Sequence, residues 1–316
     1  MITDSKRRWG RRLVPGGLRA RLCAAVVVSG IGAAAALPAA AQTVELRWKL
    51  EAGTDLVYRM SMQSESELPQ GMGTTTMNME SIQRWNVLEV DGDGAATVRM
   101  ITERVRMSVG GPMGTMSVDS ADTESAGSPL DAMKAIAGTS YTVVLDPRGA
   151  LVTISGLEEV REALRAQMPD PSGQAMLDQF LNEEALRTQW AQGVHVLPAE
   201  AVGVGSTWEG TYTSASPLFG SITVASAYRV ESIDGNLVVI GGSGTMSTAD
   251  GGATPFPVPM KMSDTTIAAT SRFDAGKGLL LDTESTMGMQ MSMTIADQET
   301  VLDMVTTMTL ELIEGQ

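Results

Sequence analysis

The sequence predicts a mainly β protein with some helix (α+β): a strongly curved antiparallel sheet or open barrel, in two related halves joined by a short helical connector. Three observations predict it. Apolar and polar residues alternate with period two over most of the chain beyond residue 42, the signature of strands with one buried face. Asp-Gly and Asp-Pro-x-Gly turns separate the alternating runs, as between strands that pair with their sequence neighbours. Helical spacing is confined to about residues 157–190.

Residues 1–41 carry Lys6, Arg7, Arg8, Arg11, Arg12, Arg19 and Arg21 against one acid, Asp4, followed by the apolar run Leu22–Leu37 and by Pro38-Ala39-Ala40-Ala41. Basic, apolar and small-residue segments in that order read as an export signal cleaved after Ala41, and the apolar run is shorter than the roughly twenty residues of a membrane-spanning helix. The expected product is periplasmic or extracellular, divided as 42–156 (first β-rich half), 157–196 (connector) and 197–316 (second half). Cys23, the one cysteine, leaves with the signal, so no disulfide is expected.

Within the first half, Val44, Leu46, Trp48 and Leu50 alternate as one strand, and Leu56, Tyr58, Met60 and Met62 as the next, after the turn Gly53-Thr54-Asp55. Met77–Val90 and Ala95–Val109 flank Asp91-Gly92-Asp93-Gly94, a hairpin turn that lacks the spaced third ligand and closing Glu of a calcium loop. Gly110–Pro129 reads as a loop with one short strand, and Tyr141–Ile154 as a hairpin around Asp146-Pro147-Arg148-Gly149. Leu157, Val160, Leu164 and Met168 then recur at helical spacing until Pro169-Asp170-Pro171, and a second helical stretch covers Gln174–Trp190. The stripe Leu157, Val160, Leu164 is expected to pack on the open side of the sheet.

Strands return at Ile222–Val230, Leu237–Ile240, Val258–Phe273, Leu279–Ile295 and Val301–Leu312. Leu279–Ile295 places Thr283, Ser285, Met287, Met289, Met291 and Met293 on one face. The usual strand has about five or six residues, so this one is expected to bend at Gly288 or to break. The second half also echoes the first in order. Gly53-x-x-Leu56 matches Gly205-x-x-Trp208, Trp85-x-Val87 with Asp91-Gly92 matches Tyr228-x-Val230 with Asp234-Gly235, and Leu145-Asp146 with Gly149 matches Phe273-Asp274 with Gly276.

Leu197-Pro198, Val202-Gly203-Val204-Gly205, Trp208 and Phe273-Asp274 before Gly278 resemble an uncharacterised family of exported bacterial proteins, a domain of unknown function. More broadly, curved antiparallel strands with a few helices resemble the LolA-like periplasmic lipid carriers. That resemblance implies an open barrel around an apolar cavity closed by helices, and no ligand-contacting residue carries over from it.

Composition narrows the function. Lys and Arg number 23 and Asp and Glu 37; without residues 1–41 these become 16 and 36, a net charge near −20. Such a chain repels nucleic-acid phosphates and anionic membrane surfaces, so neither is an expected partner. His195, the one histidine, lies in an apolar segment without a nucleophile motif, and Gly242-Ser243-Gly244 lacks the G-x-S-x-G spacing; no catalytic residue, metal or cofactor is expected. Methionine is abundant, at 22, and recurs at spacing two: Met60/Met62, Met77/Met79, Met260/Met262 and Met287/Met289/Met291/Met293. Thioethers suit Cu(I), but copper sites add His or Cys, whereas Met also adapts to irregular apolar cavities. The expectation is therefore a non-enzymatic protein holding lipid or another apolar small molecule, with Met60, Met62, Met287, Met289, Met291 and Met293 lining the cavity. The alternatives are a structural or interaction protein of the cell envelope with a packed core, and a Met-rich Cu(I) carrier.

Overall fold

The turns are built by short acidic side chains. Asp91 Oδ1 accepts from the N–H groups of Asp93 and Ala95, both at 2.9 Å, and Asp146 Oδ1 accepts from Arg148 and Ala150 at 2.9 and 2.7 Å. Asp91 thus spends its carboxylate on the backbone. The computed structural model describes residues 42–68, 73–112, 114–122, 130–166, 174, 181–184, 186–187, 190, 196–216, 220–248, 260–295 and 298–315. The strands are β1 (Thr43–Val44), β2 (Asp55–Glu67), β3 (Thr74–Val90), β4 (Ala96–Gly111), β5 (Gly114–Asp119), β6 (Ser140–Leu145) and β7 (Leu151–Ser155), then β8 (Val202–Gly203), β9 (Thr207–Ser216), β10 (Gly220–Asp234), β11 (Leu237–Thr248), β12 (Met260–Asp274), β13 (Leu279–Ile295) and β14 (Gln298–Gly315). A 3-10 helix covers Asp131–Ile136 and α1 covers Leu157–Arg165.

Twelve strands form one antiparallel sheet in the order β7-β6-β4-β3-β2-β14-β13-β12-β11-β10-β9, with β5 on β4; β7 does not pair with β9, so the sheet is not closed into a barrel. The protein is mainly β with a short helix, as the alternation predicts. The expected first strand differs. Only Thr43–Val44 pairs, with β8, while residues 45–50 keep their alternating burial without a ladder. β13 runs unbroken past Gly288, and the irregularity sits opposite it in β12, where three steps from Ser263 to Thr266 face two steps from Gln290 to Gly288. A bulge in the partner bends the pair without interrupting the long strand.

The sequence echo corresponds to one register used twice. Gly53 N–H donates to Val87 O and Val87 N–H to Thr54 O; Gly205 N–H donates to Val230 O and Val230 N–H to Ser206 O. Leu56 faces Trp85, which faces Met100, which faces Tyr141; Trp208 faces Tyr228, which faces Gly242, which faces Ala269. Gly53 and Gly205 both hold φ near +85°, the left-handed region that glycine adopts without strain.

One end of the sheet is plugged. Leu46 and Trp48 are buried, and the segment is pinned between the two halves by Trp48 N–H to Pro147 O at 2.8 Å and Lys49 N–H to Gly278 O at 3.0 Å. Lys49 Nζ adds a bond to Ala275 O at 2.8 Å. Behind the plug lies the main core, where Trp48 meets Trp85 and Phe273 with ring centroids 5.9 and 6.0 Å apart. Large aromatics at this end exclude water and bury large apolar surfaces. The opposite face of the sheet is charged instead. Asp119 pairs with Arg104 and Arg106, Arg106 with Glu80, Glu80 with Arg59, and Arg59 with Glu311, a ladder across β5, β4, β3, β2 and β14. A spanning barrel would present an apolar band there.

The gap between β7 and β9 is bridged by the connector. Arg187 donates to Leu151 O and to Val152 O on β7, and Tyr212 on β9 donates to Glu184 O at 3.3 Å. Trp190 Nε1 donates to Gly149 O at 2.9 Å while its ring stacks on Trp85 at 5.2 Å. The expected packing of the helical stripe is corrected. Val160 and Leu164 are buried against Ala135, Ile136 and Leu181, so α1 docks on the 3-10 helix rather than on the open side of the sheet, and Leu157 is only half-buried. Most of the second helical stretch, together with Met168 and His195, lies outside the described residues.

Candidate functional site

The inward face is organised as cross-strand rows, because side chains opposite one another in an antiparallel pair share a face. The lowest row runs Val230, Ile240, Ser271, Thr283, Leu310, Met60, Ser81, Val105 from β10 to β4. It is tightly filled: Val230, Ile240, Ser271, Thr283, Ser81 and Val105 are all buried, and the hydroxyls of Ser271 and Thr283 lie 2.9 Å apart in a hydrogen bond.

The middle row runs Trp208, Tyr228, Gly242, Ala269, Ser285, Met308, Met62, Met79, Met107 from β9 to β4. The next row toward the far end runs Ser226, Gly244, Ile267, Met287, Thr306, Ser64, Met77, Val109. A cavity of about 120 Å³ lies between these rows, lined by Met62, Met287, Met308, Val224, Ile267, Ala269, Gly242, Ser226, Tyr228, Ser243, Ser285 and Thr306. For scale, an engineered apolar cavity of about 150 Å³ accepts benzene, and pockets for drug-sized ligands begin at about 300 Å³.

The cavity exists because the two halves fill the same register differently. Trp85, Met100 and Tyr141 occupy three consecutive inward positions in the first half, and Trp190 stacks on Trp85 from the connector. The corresponding positions in the second half hold Tyr228, Gly242 and Ala269. A Cβ on Gly242 would come within 3.3 Å of the Tyr228 ring, so the ring leans over the glycine and leaves open the space above Ala269 and Ser285.

Of the six methionines expected to line the cavity, Met62 and Met287 do so. Met60 belongs to the filled row below, and Met289 and Met291 continue the same face of β13 beyond the cavity, half-buried, facing Met304 and Leu302 of β14. Met293 pairs through its backbone with Met260, and the side chains of both lie outside the described residues. Met308 was missed because the other methionine of its strand, Met304, is four residues away, so the two do not form a pair at spacing two. Ser285 was legible on the Met287 face of its strand but not as a cavity residue, and Gly242 and Ala269 carried no signal, since a missing or single-methyl side chain adds nothing to the alternation.

No Asp, Glu, Lys or Arg occurs in the three rows. Apart from the Trp208 indole N–H, which donates to Val196 O at 3.1 Å, their polar side-chain atoms are hydroxyls, partly paired among themselves: Thr306 Oγ1 donates to Ser64 Oγ at 3.1 Å, and Tyr228 hydrogen-bonds Ser226. Burial raises the Tyr228 phenol, with Ser226 opposing, and burial raises Tyr58 further, so both stay neutral. Among the described residues no cluster of His, Cys, Asp and Glu could hold a metal ion, and no helix is long and apolar enough to cross a membrane. The chemistry available at the site is apolar contact with neutral hydrogen bonding.

The sequence pattern of a family of unknown function, DUF6263, matches residues 93–280, more than half of the chain, from the β3–β4 turn to the start of β13. The match takes in the cavity wall formed by β10, β11 and β12 and stops short of Ser285, Met287, Thr306 and Met308. No curated protein matches the chain.

Proposed function

The chain belongs to the family of unknown function DUF6263, and from that premise, which names no activity, we propose that it is an exported, non-enzymatic protein that holds an apolar ligand inside its curved sheet. The observation that carries this reading is the cavity between the inward rows: apolar, uncharged and walled on one side by flexible methionines. Its volume of about 120 Å³ suits a single ring or a short stretch of hydrocarbon chain rather than a whole lipid. The rest of a longer ligand would run along Met289 and Met291, away from the plugged end. Export rests on the basic, apolar and small-residue order of residues 1–41, with a periplasmic or extracellular location after cleavage at Ala41. The likeness to LolA-like carriers supports the same reading at the level of architecture: an open curved sheet whose gap a connector covers.

A cavity smaller than ordinary ligand pockets also favours a second reading, an envelope protein whose interior is simply packed. Native mass spectrometry of protein purified from its own envelope separates the two. The carrier reading expects a co-purifying apolar molecule, released on unfolding, and saturable binding of benzene by the emptied protein. A single unliganded mass together with no benzene binding overturns it.

A further inference from the structure

The inward face sorts its polar atoms by kind as well as by number. Every ion pair named above lies on the opposite face, while the inward side chains lining the cavity offer only the hydroxyls of Ser226, Tyr228, Ser285 and Thr306 beside its apolar wall. In the row beneath, Ser81 Oγ is buried without a hydrogen-bond partner among the described residues. An ion entering such a site loses its hydration and meets no countercharge, whereas a hydroxyl or carbonyl exchanges water for a serine or threonine at little loss.

We infer that the group accepted beside the hydrocarbon is uncharged and hydrogen-bonding, making the ligand a neutral amphiphile of the fatty-alcohol or acylglycerol class rather than a fatty-acid anion or a charged-headgroup lipid. The inference rests on the apolar-cavity reading and adds a selectivity to it. Two effects would reject a carboxylate: desolvation in the cavity and repulsion by the acidic chain, which carries 37 Asp and Glu against 23 Lys and Arg. A cation separates them, since long-range attraction favours it and desolvation does not.

Calorimetric titration of the whole protein at neutral pH and moderate salt with benzene, 1-octanol, octanoate and octylammonium tests this. The expected result is saturable binding of benzene and octanol, with octanoate and octylammonium each at least tenfold weaker than octanol. Octanoate equal to octanol overturns the neutral-ligand inference and leaves the cavity reading in place. Octylammonium equal to or tighter than octanol also overturns it, because the field of the acidic chain then governs selection. If neither benzene nor octanol binds, the cavity reading fails and this inference with it.

Discussion

Ala269 is the residue on which the cavity turns. It stands where the first half has Tyr141, and its methyl group faces the open space between Tyr228 and Ser285. Ala269→Leu should fill that space from a side chain already pointing into it. Because the room exists, the change in stability should stay within about 1.5 kcal/mol, at the mild end of volume-changing core substitutions. Benzene binding should fall at least tenfold in the same variant by calorimetry; unchanged binding would place the ligand elsewhere. A second residue acts through charge. Arg104 first, then Arg106, hold the Asp119 carboxyl well below the usual carboxylate range. A carboxyl depressed in the folded state contributes stability above its unfolded pKa, near 4, and that contribution is lost as pH falls through and below this value. Asp119→Asn should therefore lower stability at pH 7 and flatten its loss below about pH 4 in urea melts. A variant that loses stability in acid as steeply as the native protein would show that other carboxyls carry the effect. At this scale the sequence was legible where a residue acts by what it presents, as in Asp91, Asp146 and the glycines of the turns. It was silent where a residue acts by leaving space.

The elements were legible wherever one face is buried. Strands β4, β10 and β11 follow the alternation closely, since solvent on one side and core on the other write period two into the chain. Two expectations failed for identifiable reasons. Residues 45–50 alternate because they thread between the halves with every second side chain in the core, and alternating burial needs no hydrogen-bonded ladder. The stripe of α1 announced an apolar partner without naming it, and the partner is the 3-10 helix, whose short sequence Asp131–Ile136 has too little periodicity to read. Leu164 is fully buried in that small cluster, so Leu164→Asp should destabilise the protein by about 2–4 kcal/mol by placing an unpaired charge there. A denaturation midpoint equal to that of the native protein would mean that α1 contributes nothing to the folded state.

For the whole molecule, one register used twice explains both a closed end and a cavity. The plug and the aromatic core occupy the turn ends of both halves, and the core reaches the inward rows only at Tyr228, Val230, Ile240 and their packed neighbours Trp208 and Leu310. The methionines of β13 lie outside that core. Met289→Leu with Met291→Leu should fold within about 1.5 kcal/mol of the native protein and keep its affinity for benzene, since Leu conserves volume and apolar character. The Cu(I) alternative expects the reverse, metal binding by the native protein that the double variant loses, because Leu offers no sulfur donor. Titration with Cu(I) under reducing conditions beside the benzene titration distinguishes them.

The place of β14 has a consequence for the order of assembly. It lies between β2 and β13, so the first long strand made has as its neighbour the last one described, more than two hundred residues later. Until that strand is synthesised, β2 presents an unpaired edge of alternating apolar residues, and β13 presents another. Pairing across such a span closes a large loop late, which slows folding and prolongs exposure of both edges. During biogenesis the molecule is thus two incomplete sheets waiting for one shared seam, and a ribosome pause shortly before Gln298 should leave a product prone to self-association.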